Sequence, residues 1–451
     1  MFRKTLFWLH LICGVIAGVV IAIMSFTGAA LAFEKELIAY AERDARRVEV
    51  PAGAQALPLE ELLRQVRAAR PDARISNVVL TNDPTAAIAL TAGGRGPGGG
   101  GGAATALYAN PYTGEVREAA APRTRAFLRT MTAWHRWLGA GEERRAIGKA
   151  ITGACNVAFL GLGLTGLYLW WPRAWSVRVL RAIALLNPRA HGKARDFNWH
   201  NAIGIWSVLV LIVLTATALP ISYHWAGDAI YRLTGSEPPA PGAGRGGPPA
   251  TNAPQIQVPA PPEGARRLGY NALVVAVEKL HPRWEQLTLR LPGAQPERGA
   301  GGSRAEGAGR MGARTEGAMG EGPARRMEGE RPSRAEANSS AASKAGSSRG
   351  PGATGAVVIT LKEAGTWPRT ATTTLSLDPY TGSALHREGF ADQELARQVR
   401  TWTRFLHTGE ALGWLGQLIA GLASLGAVVL VYTGFALSWR RFFSRKVTPS
   451  V

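Results

Sequence analysis

The chain has 451 residues, 46% of them hydrophobic, and a formal net charge of +20. Much of that charge sits in short segments flanking apolar stretches and in one low-complexity insert, which argues for membrane anchoring and against a nucleic-acid partner. Both cysteines, Cys13 and Cys155, fall inside apolar stretches, so a disulfide framework and a cysteine-based metal site are excluded.

Residues 6–33 form the first of four stretches of transmembrane length. The others are 147–171, 200–223 and 412–439, and each exceeds the ~20 residues that cross ~30 Å of hydrocarbon. The first is too long for a signal peptide and lacks a small-residue cleavage site, so it reads as an uncleaved anchor. It carries His10 near its start. Thr27-Gly28 follows 17 residues later, about 25 Å along a helix. Gly14 and Gly18 make a small-xxx-small pair suited to close helix approach.

Residues 57–120 read as an amphipathic helix followed by antiparallel strands, interrupted by the flexible run GGRGPGGGGG and containing the turn Pro111-Tyr112-Thr113-Gly114. A lead helix at 122–138 contains WHRWLG with His135, and GAGEE breaks it before the second span. That span ends in LTGLYLWWPR, where Pro172 stops the helix. The loop 172–199 carries Arg173, Arg178, Arg181, Arg189, Lys193 and Arg195. The third span opens NWHNAIG with His200. A second outer unit, 268–388, is interrupted by 292–354, a Gly-, Ala-, Arg-, Ser- and Glu-rich insert expected to be disordered. Its Met311, Met319 and Met327 read as low-complexity drift. A lead helix at 391–408 contains WTRFLH with His407 and precedes the fourth span.

Arg3 and Lys4, the loop 172–199, and the tail with Arg440, Arg441, Arg445 and Lys446 belong in the cytoplasm by the distribution of Lys and Arg. Both termini are then cytoplasmic, in a bacterial inner membrane, and the long segments 34–146 and 224–411 are periplasmic.

The chain repeats itself. A shift of 268 places Pro111–Gly114 on Pro379–Gly382, Trp134 on Trp402, Arg136 on Arg404, Gly148 on Gly416 and Thr165-Gly166 on Thr433-Gly434. A shift of 190 places His10 on His200, Gly14 on Gly204 and Thr27 on Thr217. His135 and His407 miss by four positions, one helical turn. The fold expected is a mixed membrane protein: a four-helix transmembrane bundle from a tandem duplication, with two periplasmic α+β units.

Two inner histidines (His10, His200) and two outer ones (His135, His407) suit haem iron, because imidazole is a common axial ligand and helical bundles hold cofactors between facing helices. Two bis-histidine haem b groups, one per membrane side, use all four. Other pairings stay open, since sequence does not fix which spans are adjacent, and a histidine near a span end is often interfacial. Trp134, Trp137, Trp199, Trp206, Trp402 and Trp414 suit either a macrocycle or the interfacial belt. Arg136 and Arg404 suit propionates or a solvated surface. His224, His191, His281 and His386 have no repeat partners. The outer site is expected at or near the periplasmic boundary, since His135 and His407 precede Thr165 and Thr433 by about 45 and 39 Å of helix. No nucleotide-binding loop occurs, so a cytoplasmic NAD(P)H or flavin donor would be a separate protein.

As a set, WLH at 8–10, the PYTG turns, WHRWLG, LTGLYLWWPR, NWHNAIG, ISYHWAGDAIYRLTGSEPP and LHTGEALGWLG resemble the PepSY-associated transmembrane family, also described as iron-regulated membrane proteins. The resemblance implies PepSY-like outer units and haem ligation by His10, His135, His200 and His407. It implies a ferric-siderophore reductase fed by an unknown electron donor. His224 departs from the SYPW of that branch. The alternative is a non-redox PepSY scaffold that binds or regulates a periplasmic partner; a transporter lacks charged residues within the spans.

Overall fold

The computed structural model describes residues 1–93, 105–172, 175–239, 256, 258–259, 261, 264–291 and 355–443. Most of the glycine run, the insert with its three methionines, Arg173, Arg445 and Lys446 lie outside the described residues.

The first half runs α1 (Phe2–Leu31), α2 (Glu34–Ala41), α3 (Arg43–Arg46), α4 (Leu59–Ala69), β1 (Arg74–Thr81), β2 (Ile88–Gly93), β3 (Thr105–Ala109), β4 (Val116–Glu118), α5 (Pro122–Trp137) and α6 (Arg145–Trp170). After α7 (Val177–Ala184), the second half runs α8 (Gly192–Ser222), α9 (His224–Leu233), α10 (Tyr270–Leu280), β5 (Trp284–Arg290), β6 (Val357–Glu363), β7 (Thr373–Leu377), β8 (Ala384–Glu388), α11 (Leu395–His407) and α12 (Gly413–Phe443).

Four helical segments are long and apolar enough to cross a membrane, and they contain α1, α6, α8 and α12. Helix α1 packs on α6 and α12, and α8 packs on the same two, so α1 and α8 stand diagonally. Glycines let these helices approach: a Cβ on Gly18 would sit 2.8 Å from the Phe435 ring, and one on Gly163 3.0 Å from Ile212. Helix α8 starts at Gly192, eight residues before the expected span, because Asp196 at its foot is buried against Arg195 and Arg440.

The outer strands form one antiparallel sheet, in the order β4-β3-β2-β1-β5-β6-β7-β8. The sequence suggests two units; the structure fuses them, with Val78 of β1 opposite Leu289 of β5. Each four-stranded half alone would leave an apolar edge of unpaired N–H and C=O groups, and the central pairing satisfies both. The remaining edges, β4 and β8, carry Arg117, Glu118, Arg387 and Glu388, which discourage further pairing. One face of the sheet buries Leu289, Ile359 and Leu375 against Leu63 of α4 and Leu273 of α10. Glu60 of α4 also accepts from the Asn271 amide of α10 at 2.9 Å, tying the halves together.

The two PYTG turns are built alike. Asn110 Oδ1 accepts from the Tyr112 amide at 2.9 Å and Asp378 Oδ1 from the Tyr380 amide at 2.7 Å. Gly114 and Gly382 follow at φ of 74° and 72°, a left-handed conformation that favours glycine.

Candidate functional site

Each of the four histidines singled out by the repeat is held through Nδ1. His10 Nδ1 lies 2.8 Å from Thr165 Oγ1, and His200 Nδ1 lies 3.0 Å from Thr433 Oγ1. Those hydroxyls donate to their own helix, to the carbonyls of Gly161 at 2.7 Å and Val429 at 2.8 Å. With the hydroxyl proton committed there, the oxygen accepts and the ring nitrogen donates. His135 Nδ1 donates to the Met24 carbonyl at 2.9 Å, with Thr27 Oγ1 at 3.2 Å, and His407 Nδ1 donates to the Leu214 carbonyl at 2.9 Å. A carbonyl can only accept, so these rings too carry the proton on Nδ1. All four are therefore the tautomer whose Nε2 lone pair is bare, which is how metal-ligating histidines are oriented.

The rings gather into two pairs. His135 and His407 have ring centres 6.2 Å apart with planes inclined at 50°. His10 and His200 project from the diagonal helices α1 and α8 onto the matching Thr-Gly pairs of α6 and α12. His10 and Met24 are 14 residues apart on α1, as are His200 and Leu214 on α8. The two levels are thus separated by about 21 Å of helix rise.

Glycine makes room for three of the rings. A Cβ would come within 3.3 Å of His10 Cε1 at Gly166, 3.1 Å of His135 Cε1 at Gly28 and 3.7 Å of His200 Cε1 at Gly434. The Thr-Gly pairs 27–28, 165–166 and 433–434 are thus ring seats, with threonine contacting Nδ1 and glycine leaving space for the ring. In the sequence, 165–166 and 433–434 coincide at the 268 shift, and Thr27 coincides with Thr217 at the 190 shift. Their signal was recurrence opposite histidines that repeat with them. On α8 the corresponding pair is Thr217-Ala218, and the ring there uses the Leu214 carbonyl.

The outer pair lies deeper than expected. Met24 is seven residues from the end of α1 and Leu214 eight from the end of α8, so both rings reach about two turns inside the helix ends. Helices α5 and α11 return along α1 and α8 to bring them there. Both are anchored ten residues before the histidine. Arg125 grips Glu42 at 2.6 and 2.9 Å, and Arg397 reaches Glu388 at 2.5 Å. Yet Arg125 and Arg397 stand four positions apart in the gap-free register, as His135 and His407 do. Counted from the PYTG turns to Gly148 and Gly416, the connection before the arginine is four residues longer in the second half and the one after the histidine four shorter.

Glu42 is fully buried and also accepts from Tyr108 Oη at 2.7 Å and Arg46 at 3.2 Å. Burial alone would raise its carboxyl; the hydrogen bonds from Arg125 and Tyr108 outweigh that and hold it below the usual 4.5. Burial, with the Glu42 contact, pushes the Tyr108 phenol up to about 12. The Glu42 contribution is present above pH 4.5 and is lost as pH falls through the lower folded value. Replacing Glu42 with Gln strands the Arg125 charge and is expected to cost about 3 kcal/mol. Thermal unfolding followed against pH checks this: the wild type should lose stability below about pH 4.5 and Glu42→Gln should lack that step.

The remaining expected residues lie elsewhere. Trp206 and Trp414 are exposed on the bundle surface, and Trp206 donates to the Ala184 carbonyl at 2.8 Å. The guanidinium of Arg136 sits over Trp137 and that of Arg404 over Phe405. His281 pairs with Glu363 at 3.0 Å in the sheet domain, and His224 opens α9. Among the described residues no group of three or more His, Cys, Asp or Glu could hold a metal ion. Each level presents two imidazoles.

No curated protein matches the chain. The model of the PepSY-associated TM region matches residues 7–441. A membrane protein with four candidate spans and a sheet-containing region, the chain belongs to the PepSY-associated TM family.

Proposed function

We propose that this protein is an inner-membrane di-haem b electron carrier, arisen by tandem duplication, that reduces ferric chelates of the siderophore class on the periplasmic side. The observation that carries the reading is the pairing of four Nδ1-anchored imidazoles at two levels. Two imidazoles on one iron, each bonded at about 2.0 Å through Nε2, have ring centres about 6 Å apart. The outer pair stands at 6.2 Å. His10 and His200 would hold one group, and His135 and His407 the other. When bound, each haem supplies a one-electron ferric/ferrous couple.

The chain's own contribution is to orient ligands and exclude water. Thr165, Thr433 and the carbonyls of Met24 and Leu214 fix ring direction and raise imidazole basicity. Arg3 and Lys4 at the foot of α1, Arg178 and Arg181 on α7, and Arg440 and Arg441 at the foot of α12 favour a cytoplasmic position for the His10–His200 level. The His135–His407 level then faces the sheet and the periplasm. Reduction there weakens a hard-oxygen chelate, because ferrous iron is held less tightly by such ligands.

Purified protein should show a reduced-minus-oxidised spectrum of b type with two haems per chain. Colourless protein from haem-replete cells would sink the proposal. Thr433→Val, which removes the Nδ1 partner of His200, should weaken retention of the inner group by about 10–100-fold. Haem-transfer kinetics to an apoglobin acceptor measure this, and a retention unchanged from wild type would deny the hydroxyl its role.

A further inference from the structure

We infer that the electron donor is a membrane quinol, and that it binds in a cleft on α12 beside the inner histidine level. The inference rests on the di-haem reading. A cleft of about 440 Å³ opens on the bundle surface, between Val15 of α1 and Tyr432, Phe435, Trp439, Arg440 and Phe443 of α12. Tyr432, Trp439 and Phe443 are exposed along a helix apolar enough to cross the membrane, so the cleft is reached from lipid. Trp439 and Phe443 stack with ring centres 4.4 Å apart at 31°, offering a flat aromatic wall.

The cleft also has a polar edge. Tyr432 and Arg440 both line it. Arg195 and Arg440 both meet Asp196, at 2.9 and 3.2 Å. Asp196 is 1% exposed, and its Oδ2 has no aligned hydrogen bond. A carboxylate buried between two guanidiniums at the foot of the bundle, with one oxygen left without an aligned donor, is costly. An acyl chain would need no such edge. A quinol presents a flat ring to the aromatic wall and hydroxyls to Tyr432 and Arg440. Tyr432 also adjoins Thr433, the anchor of His200, so the cleft lies one residue from the inner ring seat.

The chemistry balances. A bound quinol would become a quinone by losing two electrons singly; a one-electron acceptor held by His10 and His200 would pass the first on to the His135–His407 level before taking the second. Its two protons leave to water at the cytoplasmic foot of the bundle, beside Arg440.

The test uses the full chain in lipid nanodiscs. A photoactivatable azidoquinone should label peptides containing Trp439 and Phe443, and excess unlabelled quinone should displace it. Anaerobic mixing with a short-chain quinol should reduce the b-type absorbance. Tyr432→Phe and Arg440→Gln should each slow that reduction by about tenfold, as expected for loss of one hydrogen bond at the reacting group. Dithionite should still reduce both variants fully, showing that they are folded and loaded. Label elsewhere, label displaced equally by phospholipid, or variant rates equal to wild type would overturn the quinol site. Failure of dithionite to produce any b-type spectrum would instead overturn the di-haem reading, with the labelling left to judge the cleft.

Discussion

His10→Ala and His200→Ala are each expected to lower haem content to about half, and the double variant to do no worse than either single. Two ligands of one iron act as a unit, so the second loss removes nothing further. His135→Ala and His407→Ala should behave the same way for the outer group. The crossed combination His10→Ala/His135→Ala should empty both sites. Haem per chain by pyridine haemochrome, with redox titration of what remains, distinguishes these outcomes. The surviving group should keep the potential it has in the wild type, since about 21 Å separates the levels. If His10→Ala and His135→Ala prove non-additive while His10→Ala and His200→Ala add, the ligands are paired along the bundle and not across it. The controls are His224→Ala and His281→Ala. One opens α9 and the other is paired with Glu363, and neither should change haem content.

The four spans were legible in the sequence because a run of apolar residues has one solution in lipid, a helix. The four histidines were legible because repetition isolates them from the other four. Their pairing was not, because it depends on which helices are diagonal, and helix adjacency leaves no local mark. The lead helices can be aligned in two ways, one turn apart. Trp134 and Arg136 line up with Trp402 and Arg404 by letter. Arg125 with His135 and Arg397 with His407 line up by role, each pair ten residues apart. The four-position miss of the histidines already shows in the sequence, but not that the connections on either side of the lead helix absorb it. The single eight-stranded sheet was hidden for a related reason. β1 and β5 each read as ordinary alternating strands, and only pairing at Val78–Leu289 turns two units into one. What the sequence did place correctly by position, without giving the reason, were the small residues Gly28, Gly166 and Gly434 beside the rings.

Gly148→Ala and Gly416→Ala should each empty the outer site while sparing the inner one. These glycines repeat at the 268 shift, and each lies against the chain leaving a lead helix. A Cβ on Gly148 would stand 2.2 Å from the Trp137 carbonyl oxygen, and one on Gly416 2.2 Å from that of Gly409. A tolerable carbon–oxygen contact is about 3.3 Å, so backbone must move by about 1 Å. Helix α5 has little freedom to absorb this. Thr152 Oγ1 holds the Arg136 carbonyl at 2.9 Å, Arg125 is locked to buried Glu42, and Leu138 at φ 54° already turns the chain sharply. The shift therefore falls on His135, two residues before the clash. Ligand distances tolerate only about 0.2 Å, so a displacement of that size breaks the bond to iron. The stability cost of overpacking is about 1–3 kcal/mol, small enough for the bundle to remain folded. Gly161 on the same helix provides the control, because a Cβ there meets nothing within 4 Å. Gly161→Ala should keep both groups, and the better helix propensity of alanine should leave the protein as stable or about 1 kcal/mol more so. Haem content, together with the potential of the remaining group, reads all three variants. Gly148→Ala with two haems at wild-type potentials would mean that α5 does not position the outer ligand.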